Sequence, residues 1–75
     1  MRDGETKEGV FKRLATKRTN RILKDLSLLG NLSNRSNYSY NEKQVNKIFR
    51  TIETELKYTK THFDRAYKRL RKLEL

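Results

Sequence analysis

Lysine and arginine recur in this chain at spacings that a helix turns into rows. Arg13, Lys17, Arg21 and Lys24 follow one another at steps of 4, 4 and 3, with Asn20 beside them, and residues three and four apart share one helical face. Farther on, Lys43, Lys47, Arg50 and Lys57 stand along one side of a second stretch, which ends in Arg65, Lys68, Arg69, Arg71 and Lys72. Such rows suit phosphates, because each neutralised phosphate releases condensed counterions and gives affinity that does not depend on sequence. The plainer alternative is a solvated helix face. Few acidic side chains are placed to pair with these cations, which favours the phosphate reading. Asn20 carries the donor and acceptor that read an adenine edge in a major groove, although a lone Asn on an exposed face is ordinarily just solvated.

A second group with binding chemistry lies in the polar run from Gly30 to Asn41, which holds four Asn and three Ser. Arg35 and Tyr38, flanked by Asn34 and Asn37, form the mixture that contacts single-stranded bases: aromatic rings stack, and guanidinium or amide groups bond to base edges. Tyr40 has a structural use instead, described below. Catalytic sets are missing from the pattern. His62 is the sole histidine and neighbours Asp64, but no Ser-His-Asp spacing, Gly-rich phosphate loop or cluster of metal ligands accompanies it, and there is no Cys. The expectation is a non-enzymatic chain with no cofactor and no metal.

The elements that must position these residues are helices. Phe11, Leu14, Ala15, Ile22, Leu26 and Leu29 recur on one face and predict a first helix from about Gly9 to Leu29, stopped where Gly30 or Asn31 takes a left-handed cap. Asx and Ser turns then order the loop. Asn41 with Gln44 three residues on, and Tyr40 with Val45, are the capping box and hydrophobic staple of a second helix, from Glu42 to about Leu73. Its seam runs Val45, Phe49, Ile52, Leu56, Thr59, Phe63, Ala66, Leu70 and Leu73, alternating steps of 4 and 3. Such a helix is about 48 Å long at ~1.5 Å per residue. The fold class expected is all-α: a helical hairpin of a helix of roughly 20 residues and one of roughly 30. The alternative is a three-helix bundle broken near Thr59 to His62, where two threonines have modest helix propensity. Residues 1–9 are expected to be a flexible arm and 10–75 a single helical domain.

In a hairpin the first helix would cover Val45, Phe49, Ile52 and Leu56 but would not reach Phe63, Ala66, Tyr67, Leu70 and Leu73. That second strip predicts a homodimer, or failing that another protein partner, although Thr59 and Lys60 interrupt the seam and argue against a long independent coiled coil.

Composition limits the partners. Nineteen Lys and Arg against nine Asp and Glu give a formal charge of +10 and a pI of about 10.2, so self-repulsion opposes compaction unless an anion screens it. Leu, Ile, Val and Phe make 18 of the 75 residues, just above the level of about 20% associated with disorder. DNA or RNA is the first expectation for the partner and an acidic protein surface the second. A membrane is not expected, since no run approaches the roughly 18 apolar residues of a span and Trp is absent. The lack of Cys and of a secretory signal predicts a cytoplasmic setting.

The strings Lys17-Arg18-Thr19-Asn20, Gly30-Asn31-Leu32-Ser33-Asn34-Arg35-Ser36-Asn37-Tyr38-Ser39-Tyr40, Val45 and Lys47-Ile48-Phe49 resemble a group of short bacterial proteins, some of them on mobile elements. The resemblance spans roughly Phe11 to Phe63 and centres on Gly-Asn-Leu-Ser-Asn-Arg-Ser-Asn-Tyr. It implies a bacterial source and carries no activity with it.

Overall fold

The computed structural model describes residues 4–71, the last three by their backbone only. Lys72 and Leu73, and the side chains of Arg69, Leu70 and Arg71, therefore lie outside the described residues, as do Met1 to Asp3 of the expected arm. The chain is all-α, with helix α1 at Lys7–Gly30, a 3-10 turn at Asn31–Ser33 and helix α2 at Glu42–Arg71. No strand occurs among the described residues.

Helix α1 begins earlier than the apolar periodicity predicts, because polar residues start it. The extended Thr6 accepts the Gly9 N–H on its hydroxyl oxygen, satisfying one of the donors that a first turn leaves open. Glu8 sits in the first turn, where a negative charge suits the helix dipole, and pairs with Lys12 at 3.2 Å. Residues 7–9 of the expected arm are thus helical. The expected left-handed stop does not form either. Gly30 (φ −60°) and Asn31 (φ −63°) are both right-handed, so the helix tightens into the 3-10 turn, a common way to end. The chain leaves helical geometry at Asn34 (φ −69°, ψ 103°). There the Asn34 side chain accepts the Ser36 N–H at 3.0 Å and its carbonyl accepts the N–H groups of Asn37 and Tyr38, the Asx-type ordering expected of this loop.

Helix α2 starts where the sequence places it. The Gln44 N–H donates to Asn41 Oδ1 at 2.8 Å and the Asn41 N–H donates to Gln44 Oε1 at 2.9 Å, a reciprocal capping box. Tyr40 and Val45, the staple positions, are both half-buried. Asn41→Ala is expected to cost about 1 kcal/mol of helix stability, seen as faster hydrogen exchange of the amides in the first turn while exchange beyond Leu56 is unaltered. The helix runs unbroken through Thr59 to His62, which gives the two-helix arrangement rather than three helices. Its threonines are accommodated by bonding backwards: the hydroxyls of Thr51, Thr59 and Thr61 donate to the carbonyls of Lys47, Glu55 and Tyr58.

Two compact units divide between Ser39 and Tyr40. Among the described residues none is buried. Along the seam of α2, Phe49 is 44% and Leu56 60% exposed, while Val45 and Ile52 are half-buried. A helix with one apolar stripe is a single layer, and only a second surface can bury that stripe.

Candidate nucleic-acid interface

At about 100° per residue, α2 separates its chemistry by face. Val45, Ile48, Phe49, Ile52, Leu56, Phe63, Ala66 and Tyr67 fall within an arc of roughly 100°. The opposite side holds Lys43, Lys47, Arg50, Lys57, Arg65 and Lys68, with Thr54 and Thr61 between them and no carboxylate. Glu42, Glu53 and Asp64 line one border of that row and Glu55 the other. All six cations are exposed, and none forms an ion pair among the described residues. From Lys43 to Lys68 the row extends about 38 Å at ~1.5 Å per residue. A shallow open depression at its start is lined by Glu42, Lys43, Asn46, Lys47 and Arg50.

On α1 the expected row is shortened by one. Arg13 Nε stands 3.1 Å from Glu5 Oε2 and its terminal nitrogen 3.3 Å from Oε1, a two-point clamp with both side chains partly covered. Arg13 is thus occupied by an internal carboxylate rather than held out for phosphate. Helical spacing gives no warning of this, because Glu5 lies before the helix and the cap at Thr6 sets its direction. Lys17, Arg21 and Lys24 remain exposed and without an ion pair among the described residues. Arg18 and Asp25 likewise make no ion pair among the described residues.

In the loop, Tyr38 is 47% exposed with its backbone tied to Asn34, and Arg35 is exposed. Of the C-terminal seam, the described side chains are exposed: Phe63 is 49% and Tyr67 55% exposed, and Ala66 is exposed. Sequence reasoning passed over Tyr58, which stacks edge-on with His62 at 5.0 Å between ring centroids and 78° between planes. The signal was present as an aromatic pair four residues apart and off the seam. No group of three or more His, Cys, Asp or Glu residues that could hold a metal occurs among the described residues, and no described helix is long and apolar enough to cross a membrane. In comparisons with known proteins, no family model, no curated protein and no solved structure matches this chain.

Proposed function

We propose that this chain is a small, non-enzymatic nucleic-acid-binding protein, an accessory or regulatory factor of a bacterial cytoplasm that holds phosphates on its helix faces. The observation that carries the reading is the carboxylate-free row of Lys43, Lys47, Arg50, Lys57, Arg65 and Lys68 along α2. Six cations held along one line, none of them in an ion pair among the described residues, give up solvent ions rather than protein partners when a polyanion binds. Lys17, Arg21 and Lys24 on α1 add to it, and the C-terminal Arg69, Arg71 and Lys72 extend the same basic composition. Titration against duplex DNA, single-stranded DNA and structured RNA at several salt concentrations tests the reading. With six phosphates neutralised, log K is expected to fall against log salt with a slope of about −4 on single strands and about −5 on duplex. An affinity indifferent to salt overturns it.

The exposed apolar stripe of α2 favours a second, compatible reading, in which the protein assembles with a second copy of itself. Ile48, Phe49, Leu56, Phe63 and Tyr67 are 41–60% exposed and offer on the order of 500 Å² per copy, or about 1,000 Å² for a pair, the scale at which a specific interface begins. In a parallel, in-register pair, Glu55 at the edge of the seam meets Lys60 of the other copy five positions on, twice by symmetry. The basic rows lie on the outer sides of such a pair.

A further inference from the structure

Tyr58 is an aromatic side chain off the apolar stripe. It lies about 130° around α2 from the middle of the apolar stripe and is 54% exposed. Its neighbours on that side of the helix are polar or charged rather than apolar: Thr54 and Glu55 in the turn before, Thr61 in the turn after and Arg65 two turns on, with Lys57 adjacent in sequence at the edge of the basic row. A tyrosine there adds nothing to the apolar stripe. What the structure gives it is a brace. The His62 ring meets it at 5.0 Å and 78°, an edge-to-face contact of the kind aromatic pairs favour. Such a contact limits the rotamers of the tyrosine while covering at most one face of one ring, so each ring keeps a flat face uncovered by the other.

We infer that Tyr58, braced by His62, is a stacking platform for an unpaired base, and that the nucleic acid held by the α2 row is single-stranded. The inference rests on the phosphate reading above and adds the class of nucleic acid to it. Base-on-aromatic stacking beside a row of cations is the combination that grips single strands without regard to sequence. Within a duplex the base faces are already stacked on one another, and a platform on the protein surface has nothing to meet. Lys57 and Arg65 flank Tyr58 on the phosphate side, so a strand laid along the row brings its bases past the ring.

The chain has no Trp, which makes the test direct. Tyr58→Trp introduces a single indole at the proposed contact, and its fluorescence is followed during titration with oligo(dT), oligo(U) and a duplex of equal length. Quenching by the single strands and little by the duplex is expected, and the stronger of the two single-strand affinities assigns DNA or RNA. In parallel, Tyr58→Ala is expected to weaken single-strand binding by about 5- to 150-fold, with Tyr58→Phe near the parent and the salt slope unchanged for both. Circular dichroism confirms equal helix content before affinities are compared. Single-strand affinity unchanged in Tyr58→Ala, or equal quenching by duplex, overturns the platform while steep salt dependence leaves the phosphate reading standing. Loss of salt dependence in the parent protein overturns both.

Discussion

Exchanging Lys43, Lys47, Arg50 and Lys57 together for glutamine is expected to weaken binding to a single-stranded oligonucleotide by about 100- to 1,000-fold at 0.1 M salt. The size follows from counterion release. Each phosphate contact on a single strand contributes roughly 0.7 to the slope of log K against log salt, so four lost contacts flatten that slope by about 2.8. The change is therefore read most cleanly as a slope, by titration from 50 to 200 mM salt, where the parent is expected to lose about 50-fold more affinity than the variant. Glutamine removes the charge while keeping a helix propensity close to that of the residues it replaces, so α2 is expected to retain its helicity. Lys12→Gln supplies the contrast. Lys12 already pairs with Glu8 at 3.2 Å and stands on α1 away from the Lys17, Arg21 and Lys24 row, so its removal is expected to leave the slope almost unaltered. A quadruple variant that keeps the parent slope removes these four residues from the interface.

The sequence made α2 legible because its signals are local and agree with one another. The Asn41 and Gln44 box, the Tyr40 and Val45 positions and the seam all specify the same start and the same face, and reciprocal bonds at 2.8 and 2.9 Å realise the first of them. The basic row could be read for the same reason, since helical spacing alone decides which side chains share a side. Less accessible were events that join residues outside a regular spacing. Thr6 caps α1 from a segment without apolar pattern, and the turn it makes brings Glu5 onto Arg13, eight residues away. Gly30 looked like a stop because it tolerates a left-handed conformation, yet tolerance is not a requirement, and a right-handed 3-10 turn ends the helix equally well. What covers the seam was not legible for a different reason. Periodicity states that Phe49 and Leu56 have a common face, but it contains no information on which surface covers that face.

The apolar face gives the other large expected effect: Leu56→Asp should weaken self-association of this chain by about 100- to 10,000-fold. Leu56 is 60% exposed in the single chain and sits in the middle of the seam, between Ile52 and Thr59. Burying a leucine stabilises by about 1.5–3 kcal/mol, and a symmetric pair loses that contribution twice, before any cost of placing two carboxylates against apolar neighbours. The measurement is sedimentation equilibrium over a range of protein concentrations, with helicity followed on the same samples. A chain with no buried residue among those described and a formal charge of +10 draws little stability from within itself, so its helices are expected to gain order as copies associate and as salt or a polyanion screens the charge. Helicity that rises with concentration in the parent and stays flat in Leu56→Asp ties the stripe to assembly. Because Leu56 lies about 140° around α2 from the middle of the basic row, the same variant is expected to keep its salt slope per chain. Loss of that slope along with self-association would mean that the phosphate row works only when two copies present it together.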